Sequence, residues 1–191
     1  MSFDLRENKL AFVGPSFNLR NRLLRVLWRL TWVLLARWTP PQLHAWRIVL
    51  LKIFGARVSS KAYVYASADI WAPWNLQMSA LGTLGPRVRC YNIAPVSIGH
   101  KAIVSQGAYL CTGTHDHRSP EFPLVAKQIS ISDNAWVCAN AFVGPGVTIG
   151  VGAILAATGT TFENLDPWTI YVGNPAVPKR KRVELGDKID R

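Results

Sequence analysis

Aliphatic residues recur at every sixth position over most of this chain, most clearly in the block ISDNAWVCANAFVGPGVTIGVGAIL at residues 131–155. The recurring positions are Val58, Val64, Ile70 and Leu76; Leu84, Cys90 and Val96; Ile98, Val104 and Leu110; and Ile131, Val137, Val143, Ile149 and Leu155. A period of six fits neither an α-helix nor an alternating strand. It is typical of short flat strands joined by tight corners, three of which form one triangular coil of ~18 residues.

Small residues complete the pattern. Ala62 and Ala68 stand two positions before an aliphatic residue, so they point to the same side of a strand and face inward. Gly99, Gly144 and Gly150 directly follow an aliphatic residue, where we expect corners with positive φ. The pattern predicts an all-β solenoid, a parallel β-helix of about six coils over residues 56–178.

The segment before the repeats, residues 1–55, has a different composition. From Ser16 to Phe54 it is rich in Leu, Arg and Trp and contains no glycine, which predicts helix, and Pro40-Pro41 divides this helical stretch in two. A helix of this kind packs on the main domain or a neighbouring subunit, or it lies in the plane of an anionic membrane surface. Its longest uncharged run, Leu30 to Ala36, is too short to span a bilayer.

Charge and cysteine content narrow the range of partners and compartments. The chain has 22 Lys and Arg against 11 Asp and Glu, a formal net charge of +11, which favours an anionic partner. Cys90, Cys111 and Cys138 are odd in number and lack metal-ligand spacing, so we predict reduced thiols. Because the start of the chain does not resemble a secretory signal, we expect a cytoplasmic protein.

The repeat slips by two residues between some of its registers, and its clearest interruption is the stretch TGTHDHRSPEFPLVAKQ at residues 112–128. It leaves the register after Leu110 and regains it near Ile129. If the phase from Leu110 continues, Thr114 points inward and His115 outward, beside an extruded loop. An imidazole in that position can act as a general base near neutral pH.

Several motifs are similar to one known family. YLCTGTHDHRSPEFPL, the block ISDNAWVCANAFVGPGVTIGVGA, the closing VGNPA, and the upstream IWAPWNL and YNIAPVSIG resemble the hexapeptide acyltransferases, within them the sugar O-acetyltransferases of the colanic-acid-biosynthesis type. The resemblance implies a left-handed β-helix, a homotrimer, acetyl-CoA as donor, a sugar or glycan acceptor and no metal.

The resemblance also implies roles for individual residues near the loop. His115 matches the family's general base, and Asn92 matches an asparagine that orients the reacting hydroxyl, unless Asn92 is only a corner residue with positive φ. Asp116 and His117 either bind the sugar or shape the loop 113–128. Trp136 would lie beside the reacting groups.

The donor is expected along the later coils. By the resemblance, Ala139, Ala157, Thr158 and Pro175 line a groove for the pantetheine arm. Lys179 and Arg180, at the start of a basic C-terminal tail over residues 179–191, would meet the phosphates of CoA. Many relatives have Thr-Lys where this chain has Phe162-Glu163. We therefore expect that one basic contact to the donor is missing.

Two alternatives remain open. One is a zinc carbonic anhydrase of the same fold, with His115, His117 and His100 as ligands, although His117 falls inside a loop typical of acetyltransferases. The other is a non-catalytic scaffold that binds membrane or nucleic acid. Nucleic acid is not predicted as a partner, because the solenoid displays no ladder of aromatic residues with interleaved Lys or Arg that would stack bases.

Overall fold

The computed structural model describes residues 17–183. Helix α1 spans Leu19–Leu35, a 3₁₀ turn spans Pro41–Leu43, and helix α2 spans His44–Ile53. The side-chain oxygen of Asn18 caps α1 by accepting a hydrogen bond from the N–H of Asn21 at 2.8 Å. The helical segment is therefore divided at the two prolines, as predicted.

Apart from the two strands of one hairpin, the strands form three sheets, which are the faces of a triangular prism. Face A contains β1 (Arg57–Val58), β4 (Leu76–Met78), β7 (Val96–Ile98), β12 (Ile129–Ile131) and β15 (Thr148–Ile149). Face B contains β2 (Tyr63–Val64), β5 (Thr83–Leu84), β8 (Ile103–Val104), β13 (Trp136–Val137), β16 (Ile154–Leu155), β18 (Thr169–Val172) and β19 (Val177–Lys181). Face C contains β3 (Asp69–Ile70), β6 (Arg89–Tyr91), β9 (Tyr109–Cys111), β14 (Phe142–Val143) and β17 (Thr160–Thr161).

Each passage through faces A, B and C makes one coil. Strands of successive coils pair in parallel, and only β19 joins its sheet in the antiparallel direction, against β18. Every aliphatic residue and the cysteine of the six-residue pattern are buried. The predicted parallel β-helix of about six coils, preceded by a helical segment, is confirmed.

The corners differ from the expectation for glycine. Gly99, Gly144 and Gly150 do not have positive φ; left-handed backbone occurs two positions later, at Lys101, Gly146 and Gly152. A β-carbon at Gly99 would collide with the backbone of Ser132 and Asp133 in the next coil. Glycine is needed directly after the aliphatic residue because the adjacent coil approaches there, so the predicted reason for these three glycines was wrong.

The helical segment packs on the first coil through a few aromatic side chains, two of which also donate hydrogen bonds to its backbone. The indole N–H of Trp28 donates to the carbonyl of Ile70 at 2.7 Å, and that of Trp32 to the carbonyl of Ala66 at 3.1 Å. The two indoles and Phe54 form an aromatic cluster between helix and coil. Within residues 17–183, neither helix combines the length and the apolar character required to cross a membrane.

Candidate active site

The interruption of the repeat forms a β-hairpin at the corner between faces C and A. Strand β10 (Gly113–His115) pairs antiparallel with β11 (Leu124–Ala126). Thr112 at its base is buried, donating its hydroxyl to the carbonyl of Tyr91 at 2.9 Å. Thr114 is exposed, so the expectation that it points inward was wrong. The hairpin pairs its own backbone groups, which lets the chain leave the coil after Thr112.

His115 lies at the outer end of β10 and is exposed. Its Nδ1 is 2.6 Å from the carbonyl oxygen of Phe122, so Nδ1 carries the proton and donates it to that carbonyl. In the neutral imidazole, this contact assigns the tautomer in which Nε2 has a free lone pair. Phe122 has φ 44°, a left-handed conformation that turns its carbonyl toward the imidazole. The sequence held no signal for this carbonyl, because a backbone conformation at a phenylalanine cannot be read from residue type.

The two residues after His115 behave differently from each other. Asp116 accepts hydrogen bonds from the backbone N–H of Arg118 at 3.0 Å and from its Nε at 3.1 Å. The hydrogen bonds from Arg118 hold the pKa of the Asp116 carboxyl below its ordinary value. These contacts shape the turn of the hairpin. His117 is exposed and forms no hydrogen bond within residues 17–183.

Asn92 is completely buried beneath the hairpin. Its side-chain oxygen accepts from the N–H of Ala72 at 2.9 Å, and its amide nitrogen donates to the carbonyl of Ala72 at 2.6 Å. Both ends of the amide therefore join the first coil to the second, and the φ of Asn92 is not positive. A direct contact between Asn92 and an acceptor hydroxyl stays a prediction, and it would compete with these two bonds.

Four of the expected donor-binding residues follow one edge of the prism, between faces B and C. Ala139 and the pair Ala157-Thr158 occupy the same corner in successive coils, joined by a 2.9 Å bond from the N–H of Thr158 to the carbonyl of Ala139. Pro175 lies in the turn between β18 and β19, farther along the edge. Within residues 17–183 the N–H groups of Ala139 and Ala157 donate no hydrogen bond. The edge thus offers small side chains and free backbone donors.

Trp136 and Arg180 lie on face B instead. Trp136 is 41% exposed, and its indole N–H donates to the hydroxyl of Ser105 at 2.8 Å. Strand pairing places Trp136, Ile154, Ile170 and Arg180 in one column, so Arg180 is three strand spacings, ~14 Å, from Trp136. Lys179 and Arg180 belong to β19, so this strand continues past residue 179, where the basic C-terminal tail is expected to begin.

Face C carries a series of neighbouring aromatic rings, in edge-to-face and tilted arrangements, that the sequence did not predict. The guanidinium of Arg89 is 4.4 Å from the ring centre of Tyr109; Tyr109 is 5.3 Å from Phe142, and Phe142 is 5.5 Å from Phe162. This series contains one arginine and joins residues from different coils, 20 or 33 positions apart in the sequence, so the expectation that no ladder of aromatic and basic residues stacks bases stays a prediction. The rings of Tyr109 and Phe142 stand at 88° to each other, which does not form a parallel platform for bases.

The described part of the chain contains no activated thiol among the cysteines whose pKa is shifted, and no cluster of metal ligands. All three cysteines are free thiols. Burial raises the pKa of Cys90 to about 12 and also raises the pKa of Cys138, so neither thiol is primed as a nucleophile. Among residues 17–183, no three His, Cys, Asp or Glu side chains are grouped to hold a metal ion. His100 lies at the corner between faces A and B, away from the hairpin of His115.

A six-residue solenoid with one extruded histidine-bearing hairpin defines the class of hexapeptide-repeat acyltransferases. The chain is 36% identical to a protein of Escherichia coli K12 provisionally named colanic acid biosynthesis acetyltransferase WcaF, over 90% of this chain and 94% of that protein. The chain therefore belongs to this family of acetyltransferases. No family model matches the chain.

Two solved structures have the same fold. A hexapeptide-repeat acetyltransferase of Vibrio cholerae, in complex with acetyl coenzyme A, superposes with a TM-score of 0.76 at 21% identity, covering 92% of this chain and 97% of that one. A maltose O-acetyltransferase of Clostridium difficile 630 superposes with a TM-score of 0.72 at 17% identity, covering 87% and 90%. These likenesses establish the solenoid independently of its sequence period.

Proposed function

We propose that this protein transfers the acetyl group of acetyl-CoA to a hydroxyl of a sugar or polysaccharide precursor, with His115 as the general base. The β-helix over residues 56–178, with its loop 113–128, would carry the chemistry. The observation that carries the proposal is the contact of His115 Nδ1 with the carbonyl of Phe122, at 2.6 Å. It leaves Nε2 as an acceptor on an exposed hairpin, the form that a base must have before reaction.

In the proposed reaction, Nε2 of His115 takes the proton of the acceptor hydroxyl while its oxygen attacks the thioester carbonyl. The bond to the carbonyl carbon forms a tetrahedral oxyanion, whose collapse breaks the carbon–sulfur bond. The proton on the imidazolium then passes to the departing CoA thiolate, so the products are an acetyl ester and CoA thiol. The Phe122 carbonyl stabilises the imidazolium between these steps. No acyl-enzyme forms, and the elevated thiol pKa of Cys138 agrees with this.

We propose that the donor lies along the edge between faces B and C. The free N–H groups of Ala139 and Ala157 would meet the carbonyls of the pantetheine arm, with Thr158 and Pro175 farther along. Lys179 and Arg180, both exposed on β19, would approach the phosphates of CoA.

The active site would be shared between subunits of a homotrimer. His115 lies at the corner of faces C and A, whereas the donor edge lies between faces B and C, so face C separates the two in one chain. Face B also exposes apolar side chains, Tyr63, Ile103 and Trp136, each 41–42% exposed, that a neighbour would cover. Co-expression of a His115→Ala chain with a Trp136→Ala chain should restore activity if each site takes one residue from each copy, and should not if every site lies within one chain.

The decisive experiment compares two neighbouring histidines. His115→Ala should lower kcat by about 10²- to 10⁴-fold, the usual contribution of a positioned base, with little change in acetyl-CoA affinity. His117→Ala, the matched control on the same hairpin, should be much milder. Comparable losses in both variants, together with stoichiometric zinc in the wild type, would favour the carbonic anhydrase alternative. A folded His115→Ala protein with the normal rate would refute the mechanism.

We also propose that the outer face of α1 rests on an anionic membrane on the cytoplasmic side, where acetyl-CoA is made. This outer face consists of seven aliphatic side chains that are 49–66% exposed: Leu19, Leu23, Val26, Leu27, Leu30, Val33 and Leu34. It lies opposite the side that packs on the coils, and exposed Arg22 and Arg29 border it. Residues 17–55 contain seven Arg or Lys and no Asp or Glu, which suits an anionic surface.

Vesicle binding tests this contact. The wild type should bind phosphatidylglycerol vesicles at least about 10-fold more tightly than phosphatidylcholine vesicles, and salt should weaken the difference. Leu23→Asn with Leu30→Asn should abolish binding. Val177→Asn with Val183→Asn changes two exposed aliphatic residues elsewhere and should not. Equal partitioning to both vesicle types would leave only a protein partner for this face.

A further inference from the structure

A groove of about 610 Å³ lies between α1 and the part of face C that the first two coils form. Five arginines line it: Arg25, Arg29 and Arg37 from α1 and the turn after it, and Arg87 and Arg89 from the second coil. The one acidic lining residue is Asp69, so the groove has a formal charge of +4, five arginines less one aspartate. We call it the arginine groove.

These arginines have no carboxylate partners of their own. In residues 17–183 the only ion pair joins Asp116 and Arg118, on the hairpin. Arg25 is held in place by the side-chain oxygen of Asn21, at 3.0 Å, and by stacking 4.4 Å from the ring centre of Trp71. The guanidinium groups of Arg29 and Arg37 make no hydrogen bond within the described chain, and both residues are exposed. Asp69, the partner of Arg89 in the sheet, is the single carboxylate among five guanidinium groups, so the groove keeps an excess of positive charge that suits a multiply charged anion.

The arginine groove continues toward the catalytic hairpin. A smaller depression of about 160 Å³ shares Asp69, Trp71 and Arg89 with it and extends to Tyr91 and Tyr109. The rings of Trp71 and Tyr91 are 5.6 Å apart. Tyr91 pairs with Cys111 in the sheet, at the base of the hairpin that carries His115, and a β-carbon at Gly113 would lie 3.1 Å from its ring. From the coil of Trp71 to the coil of Cys111 is two strand spacings, ~10 Å.

We propose that the arginine groove binds the phosphate or diphosphate of the acceptor, so the sugar that is acetylated is a glycosyl phosphate or diphosphate and not a neutral glycan. The anion would be held between α1 and the second coil while the sugar lies over Tyr91 toward His115. This proposal rests on the acetyl transfer proposed above and names the substrate class of the same site.

The acceptor suits the arginine groove better than the donor does. The residues proposed for CoA begin at Ala139 in the fourth coil and continue upward to Pro175 and β19. The arginine groove lies below His115, in the first and second coils, at the opposite end of the prism. A thioester that reaches His115 from the side of the later coils would leave the side of the first two coils for the acceptor. The groove also adjoins α1, whose outer face is the proposed membrane contact, so a lipid-linked diphosphate could enter from there.

The first test is a titration with inorganic pyrophosphate at constant ionic strength, followed by tryptophan fluorescence, since Trp28, Trp32 and Trp71 line the groove. Arg29→Gln with Arg89→Gln should weaken pyrophosphate at least about 10-fold relative to the wild type. Arg29→Gln with Arg37→Gln changes two exposed side chains without touching the coils, and should weaken it similarly. Arg57→Gln, an exposed arginine on face A, is the matched control and should leave pyrophosphate affinity unchanged.

The same variants separate the rival assignments. If wild-type protein binds no pyrophosphate, or if the groove variants bind it as the wild type does, the proposal is wrong. It is also wrong if the groove variants lose CoA affinity to the same extent, because the groove would then belong to the donor. Competition by glucose 1-phosphate, UDP-glucose or farnesyl diphosphate then identifies a simple phosphate, a nucleotide or a lipid diphosphate as the preferred source.

A kinetic arm tests the substrate class directly. The wild type should acetylate a glycosyl phosphate with a KM at least about 10-fold lower than that of the same sugar without phosphate, and the groove variants should lose this preference without a change in the KM for acetyl-CoA. Equal use of phosphorylated and neutral sugars would overturn the proposal. The pyrophosphate titration needs no acetyl transfer, so His115→Ala should still bind pyrophosphate, and a failure of the proposed reaction can be told from a failure of the proposed groove.

Discussion

The coils and the helical segment are stabilised by different kinds of contact. In the coils, one aliphatic residue after another occupies an equivalent inward position, and each strand is only two or three residues long over most of the prism. The helical segment depends on a few unique side chains, above all Trp28, Trp32 and Arg47. Stability is therefore distributed over many similar contacts in one region and concentrated in single hydrogen-bonded groups in the other.

Arg47 is the clearest example of this concentration. It is completely buried, and its guanidinium donates to the carbonyls of Val64, Pro40 and Pro41 at 2.7, 2.9 and 2.7 Å and to the hydroxyl of Thr39 at 2.7 Å. It thereby fastens the turn between the helices to the first coil. No repeat in the sequence supplies a second residue that could substitute for it.

The largest effect is expected in the coils. Leu110→Ala removes a fully buried side chain in the coil from which the hairpin leaves, and should lower the free energy of unfolding by about 2–5 kcal/mol. Leu30→Ala, at an exposed position of α1, should change it by less than about 0.5 kcal/mol. Urea unfolding at one protein concentration measures both. Equal losses would mean that α1 is covered in the assembled protein and that the two regions do not differ as described.

A somewhat smaller effect is expected at Arg47. Arg47→Met keeps most of the side-chain volume but leaves several buried carbonyls without a donor, and should cost about 3 kcal/mol. Arg37→Met, at an exposed arginine in the same segment, is the control and should be close to neutral. If Arg47→Met is as stable as the wild type, the helical segment is held by apolar packing, as the coils are, and the contrast between the regions disappears.

The same contrast explains what could be predicted from the sequence. The coils could be predicted residue by residue, because the period of six identifies an inward-facing position in each successive strand. All aliphatic residues at these positions are buried. The break in that period located the hairpin and His115. The division of the helices at Pro40-Pro41 was also predicted, because proline acts locally.

The features that could not be predicted depend on contacts that become visible only in the folded structure. The contact of Phe122 with His115 requires a left-handed residue at the end of a turn, and nothing in residue type indicates it. The ring series of Arg89, Tyr109 and Phe142, like the arginine groove, joins residues from different coils and helices. The phase argument failed at Thr114 because hairpin pairing replaced coil pairing after Thr112. Such features come from contacts between segments, which a period within one segment does not record.

The smallest expected effect is a dependence of stability on pH in the helical segment. Burial lowers the pKa of His44; its contact with the Val64 carbonyl partly opposes this shift, and the charge of Arg47 adds to it. The unfolded chain then binds a proton at a higher pH than the folded chain does, so His44 contributes its full stability above pH ~6.5 and loses it as the pH falls toward the lowered value. Thermal unfolding of the wild type should shift downward below pH ~6.5 more than that of His44→Gln, whereas His100→Gln, at a corner of the coils, should follow the wild type. If His44→Gln and the wild type keep the same difference from pH 8 to pH 5, His44 is not held in its neutral form by the packing between α2 and the first coil.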